Sequence, residues 1–144
     1  MTENCCTGGG EVMILACSGG SNVGQLSNQA AVELTGEGFG KMFCLAGIGG
    51  KLSGFVRSAK DVPQMIVIDG CQVGCARAIM AQAGVALRGH LVLTELGIEK
   101  NKNLVPVRAD IEQAKAAVRQ VAGENRTVAP KTLSNGCGCG CECC

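Results

Sequence analysis

The feature that most constrains this chain is an apolar run that ends in a glycine-rich turn and then recurs. Glu11 to Ala16 (EVMILA) is followed by Cys17-Ser18-Gly19-Gly20-Ser21-Asn22. Met42 to Ala46 (MFCLA) is followed by Gly47-Ile48-Gly49-Gly50, and Met65 to Ile68 (MIVI) by Asp69-Gly70-Cys71. Continuous apolar runs of this length, without alternation, are expected of strands buried on both faces. Leu91 to Leu93 reads as part of a fourth strand, and Leu104 to Val107 as a weak fifth.

Helical patterns lie between the runs. Val23, Leu26, Ala30, Ala31 and Leu34 share one face of a helix that Gly36, Gly38 and Gly40 stop. Short helices are expected from Lys51 to Lys60 and from Cys71 to Ala83. A last one starts at Asp110 and ends at Gly123, with Ile111, Ala114, Val118 and Val121 on one side. Strand and helix therefore alternate. The expectation is a single three-layer α/β domain with a mostly parallel sheet of about four or five strands, flavodoxin-like (order 2-1-3-4) or Rossmann-like.

Organisation follows from the same pattern. Residues 1–10 read as a flexible leader ending in Gly8-Gly9-Gly10, residues 11–123 as the α/β domain, and residues 124–144 as a polar linker and tail. The tail carries Cys137, Cys139, Cys141, Cys143 and Cys144. It has little apolar surface to bury and is expected to be disordered without a metal. No apolar run is long enough for a membrane helix. The start, Met1-Thr2-Glu3-Asn4-Cys5-Cys6, lacks the basic and apolar stretches of an export signal. The formal net charge is +1 and forms no basic stripe along the sequence, which argues against nucleic acid. A cytoplasmic protein with no membrane partner is expected.

Eleven cysteines in a chain of 144 residues then need a role. The core can be built from the aliphatic residues without disulfide staples, and the count is odd. In a reducing compartment such thiols bind metal or do redox chemistry. Cys17, Cys44 and Cys71 each lie near the carboxyl end of a strand, the edge where open parallel sheets build their sites. Cys75 follows Cys71 by four residues. Four thiolates make a complete donor set for zinc or another soft ion. Helix starts at Cys17, Cys71 and Cys75 would favour thiolate over thiol. Cys44, between Phe43 and Leu45, also suits a buried core position.

Ile66-Val67-Ile68-Asp69-Gly70-Cys71-Gln72-Val73-Gly74-Cys75-Ala76 resembles the DGC family, named for its central Asp-Gly-Cys. Cys17 to Asn22, Cys44 to Gly50 and Gly97 to Lys100 extend the resemblance over residues 11–122. It implies zinc binding, with Cys17, Cys44, Cys71 and Cys75 as the chelating residues. Cys5-Cys6 and the cysteine tail lie outside it. The tail resembles metallothionein in style, and its cysteines are candidates for accessory metal ligands.

Other residues carry weaker expectations. Asp69 is expected to cap the following helix through backbone N–H groups, with orientation of a ligand or action as a base at the sulfur cluster as the alternative. His90 is expected at the end of the sheet opposite the cysteines. Glu99 and Lys100 can reach the rim of the site but read first as a solvated turn.

Enzymatic readings remain. Leu15 to Ser27 looks like the nucleophile loop of low-molecular-weight phosphatases and the related arsenate reductases, but Val23 stands where phosphate chemistry needs an arginine. A thiol–disulfide redox enzyme could use Cys17 or the Cys71/Cys75 pair. An iron–sulfur cluster on the same four cysteines is a further alternative.

Overall fold

The computed structural model describes residues 12–128, with side chains described as far as Glu124. The leader with Cys5-Cys6 and the five tail cysteines lie outside the described residues. Among the described residues the sheet has four strands: β1 (Val12–Ala16), β2 (Lys41–Met42), β3 (Gln64–Asp69) and β4 (His90–Val92). All pairs are parallel, as the alternating pattern predicts, and the order β2-β1-β3-β4 is the flavodoxin-like one of the two expected.

Helices cover both faces. They are α1 (Asn22–Gly36), α2 (Leu45–Gly49), α3 (Ser53–Asp61), α4 (Cys75–Gln82) and α5 (Arg108–Val128). Strand side chains alternate between faces. Val12, Ile14, Ala16, Ile66 and Ile68 face one layer, with Leu26, Ala30 and Leu34 of α1 and Ile111, Ala114 and Val118 of α5. Met13, Leu15, Met65 and Val67 face the other, with Ile48, Ala59, Ala76 and Met80 from α2, α3 and α4. Ile14, Leu15 and Ile68 are fully buried. Each such side chain contributes on the order of 1.5–3 kcal/mol from burial. The paired centre, β1 against β3, is therefore the rigid part of the sheet, and the site is built on its ends.

Local boundaries differ from the sequence pattern in four places. The second strand stops at Met42, and Leu45 already begins α2. An apolar run alone cannot distinguish a strand from a buried helical turn. α4 begins at Cys75, not Cys71, because Gly74 adopts a left-handed conformation (φ 68°) directly before it. Residues 104–107 form no strand: Leu104, Val105 and Val107 are exposed, and Pro106 has no N–H for a ladder. α5 starts two residues before Asp110 and runs past Gly123 to Val128.

Candidate metal-thiolate site

The strand order reverses between β1 and β3, and the chain leaves both strands at the same edge. Cys17 continues β1 by one bond, its N–H donating to the Ile68 carbonyl at 2.9 Å. Residues 18–21 then turn the chain into α1. Ser21 caps that helix, its hydroxyl accepting the Gly24 N–H at 3.2 Å. Ser27 Oγ lies 2.5 Å from the Cys17 carbonyl and 2.8 Å from the Gly24 carbonyl, so one hydroxyl ties the loop to the helix. Gln25 Nε2 donates to the Gly19 carbonyl at 3.0 Å.

The two loops pack at backbone distance. A Cβ on Gly70 would stand 2.7 Å from the carbonyl carbon of Val23, and one on Gly24 would stand 2.6 Å from the Gly19 nitrogen. Real Cβ atoms essentially never approach so closely. Glycine at both positions is what lets the Cys17 and Cys71 loops share one space.

Cys17, Cys71 and Cys75 line that space, a cavity of ≈ 170 Å³ whose wall also includes Gly19, Gly20, Asp69 and Lys100. Cys17 and Cys71 are half-buried and Cys75 is exposed. Cys44 is on the same edge, after β2, but does not line the cavity. It is exposed, not a core residue, and its Sγ accepts the Gly47 N–H at 3.4 Å as the cap of α2. Cys17, Cys44, Cys71 and Cys75 are all free thiols. Among the described residues, no three His, Cys, Asp or Glu side chains are gathered closely enough to hold a metal ion. Three thiols around one small cavity nevertheless fit the donor chemistry of a soft ion.

A family model for the DGC domain matches residues 13–121, which span the whole sheet and the cavity. The chain belongs to the DGC domain family. It is also 38% identical over 88 residues to the anaerobic and virulence modulator AnvM of Pseudomonas aeruginosa, covering 61% of this chain and 67% of AnvM. No solved structure matches the chain significantly.

In this DGC domain the motif aspartate caps, as expected, but from a distance. Asp69 is 1% exposed, at the end of β3. Its carboxylate accepts the Ala76 N–H at 2.8 Å and the Arg77 N–H at 3.1 Å, satisfying the start of α4 that Gly74 cannot cap. His90 Nε2 is 2.8 Å from the same carboxylate. His90 is therefore not at the far end of the sheet. β4 is only three residues long and pairs with Val67 to Asp69, so even its first residue sits near the carboxyl end of β3.

The DGC domain also places Lys100 in the site, where the sequence suggested a solvated turn. Lys100 Nζ donates to Cys71 Sγ at 3.4 Å. Asn22 holds the loop that carries it: Asn22 Nδ2 donates to the Glu99 carbonyl at 2.8 Å and Asn22 Oδ1 accepts the Asn101 N–H at 2.6 Å. The asparagine that closes the Cys17 motif thus positions the lysine of a motif 78 residues later. A motif asparagine within a tight turn was the only signal in the sequence.

Burial raises the Cys17 pKa above the ordinary thiol value. Backbone N–H groups of Gly70 and Gly19 oppose this, while Cys75 and Asp69 reinforce it electrostatically. Cys17 precedes the first residue of α1 by five positions, so the helix start expected to favour its thiolate is too far away.

Proposed function

We propose that this DGC domain binds a soft metal ion, zinc in the first place, through the thiolates of Cys17, Cys71 and Cys75. Cys44, on the adjoining loop of the same sheet edge, is the fourth donor of the set that the family resemblance implies. The observation that carries the reading is that three thiols from two chain segments, Cys17 after β1 and Cys71 and Cys75 after β3, line one cavity, with a lysine ammonium donating to Cys71. Asp69 supports the site by anchoring the helix that presents Cys75.

The bound ion would neutralise the thiolates and tie the loops after β1 and β3 together. The chain's own contribution is a small cavity with a buried floor and one exposed side. The tail cysteines Cys137, Cys139, Cys141, Cys143 and Cys144 serve as accessory ligands for the same class of ion, in metal handling or resistance. Reduced thiols persist in the cytoplasm, which is the compartment this role requires. The name of AnvM describes a modulator, and a metal-thiolate centre is suited to a regulatory protein as well as to a carrier.

One observation favours a second reading, thiol–disulfide exchange. Cys75 is near enough to Cys17 for its charge to oppose ionisation there. A Cys17–Cys75 couple, or the Cys71/Cys75 pair, would then be the redox centre.

Anaerobic titration of the full chain with zinc separates the two. The chain has no Trp or Tyr, so thiolate-to-metal absorption in the ultraviolet is read almost unobstructed. With the five tail cysteines changed to Ser, a saturating signal that weakens at least tenfold in Cys71→Ser supports the metal site. No saturable signal, together with a disulfide that forms reversibly between the cavity cysteines, would replace it with the redox reading.

A further inference from the structure

Cations on the two sides of the sheet are treated differently. Where α1 meets α5, Arg108, Lys115 and Arg119 are all paired with Glu33, Glu37 or Glu112. On the opposite layer, α3 presents Ser53, Arg57 and Lys60 at intervals of four and three residues, which places them along one helical stripe. Lys51 stands at the foot of that stripe with a left-handed backbone (φ 55°). These four residues, with Val56, Gln82 and Ala83, line a cavity of ≈ 340 Å³.

No carboxylate lines this cavity. Among the described residues, Lys51, Arg57 and Lys60 have no ion-pair partner. Leu52, at the cap of α3, gives no side-chain bond to the first turn beside Ser53. The end of α4 at Gln82 and Ala83 adds a partial negative charge of about half a unit, against three full positive charges. Arg88 donates to the Lys60 carbonyl at 2.9 Å, which brings a fourth cation to the far end of α3 without occupying the Lys60 ammonium.

We propose that this cavity is a binding site for an elongated small polyanion, a diphosphate or oligophosphate group, separate from the thiol site. Size selects the class. The seven residue-to-residue rises of α-helix from Ser53 to Lys60 span about 10 Å, which is too long for one tetrahedral phosphate to bridge. The volume is at the lower end of the range for small-ligand sites, about 300–1,000 Å³. Arg57 supplies the planar fork that pairs with two phosphate oxygens, and the lysines act as point charges on either side.

Isothermal titration of the full chain with pyrophosphate at low ionic strength tests this, with inorganic phosphate in parallel. The same titrations on Cys71→Ser remove any contribution from pyrophosphate acting on metal at the thiol site. One pyrophosphate per chain is expected, bound more tightly than phosphate. Arg57→Gln/Lys60→Gln should weaken it about tenfold or more. Lys102→Gln, a surface cation outside the cavity, should leave it unchanged. All three side chains are exposed, so the variants keep the fold, which circular dichroism checks. Three results would overturn the site: no binding, equal loss in Lys102→Gln, or disappearance of binding in Cys71→Ser. Tighter binding of a short DNA duplex through Arg57 and Lys60 would also overturn it, in favour of an extended nucleic-acid surface.

Discussion

Asp69 and His90 form a 2.8 Å contact between adjacent strands, and the carboxylate in it also holds the first turn of α4. The loop before that turn carries Cys71, and its first residue is Cys75. The pair is therefore a brace beneath the thiol cavity. Asp69→Ala leaves one buried and one part-buried backbone N–H group and an imidazole without their partner. The expected loss is about 2–4 kcal/mol of unfolding free energy. His90→Ala removes one of three contacts to a carboxylate that keeps the other two, so about 1 kcal/mol is expected. Urea unfolding checks both, and a larger loss from His90→Ala than from Asp69→Ala would contradict the brace.

Gly24 gives a test in which the sign of the effect decides. Replacing a glycine inside a helix by alanine ordinarily stabilises by about 1 kcal/mol. Here the new Cβ would collide with the Gly19 backbone at 2.6 Å. Gly24→Ala is therefore expected to destabilise, by about 1–3 kcal/mol. Gly36→Ala, at the open end of the same helix, meets nothing within 4 Å and serves as the control. Thermal unfolding of the two variants reads the contrast.

Sulfur reactivity should rank by burial. Cys17 is half-buried with a raised pKa, whereas Cys44 and Cys75 are exposed. In the metal-free chain at neutral pH, iodoacetamide is expected to modify Cys17 more slowly than Cys44. Peptide mass mapping of a time course measures this. The pH at which Cys17 alkylation reaches half its maximal rate should lie above that of a free cysteine.

The α1–α5 junction predicts an acid dependence. Hydrogen bonds from Arg108 first, then Gln29, and ion pairing with Lys115 lower the Glu33 pKa from an ordinary 4.5 to about 2. A depressed carboxylate stabilises the fold above its unfolded value. That contribution is lost as pH falls from 4.5 through about 2. Glu37 is lowered as well, chiefly by its bond from Lys115. Glu33→Gln should flatten the decline of stability across this window, as followed by denaturant midpoints at stepped pH. An unchanged slope would show that the pairs are fully screened by solvent.

The sheet was legible because its information is local. Val12 to Ala16 and Met65 to Ile68 are apolar without interruption, as strands covered on both faces are. The parallel pairing followed from the alternation with helices, and the observed order is the flavodoxin-like one of the two expected. Cys17, Cys71 and Cys75 were legible as one group because each lies beside the carboxyl end of β1 or β3. Cys44 was half legible: its edge of the sheet was right, but the run around it is divided between a strand and a helix that the cysteine itself caps. Lys100 and His90 were misread for one reason. Their positions depend on where a short strand starts and on the asparagine-anchored loop after it, and neither has a periodic signature.

Metal stoichiometry of anaerobically purified protein most directly tests the central claim, that the cavity of Cys17, Cys71 and Cys75 holds a soft ion. The five tail cysteines are changed to Ser, elemental mass spectrometry counts metal, and free thiols are counted on the same sample. The account predicts about one zinc per chain, lost when Cys71 or Cys75 becomes Ser, while circular dichroism still reports the fold. A folded, metal-free chain that takes up no zinc on reconstitution would contradict it.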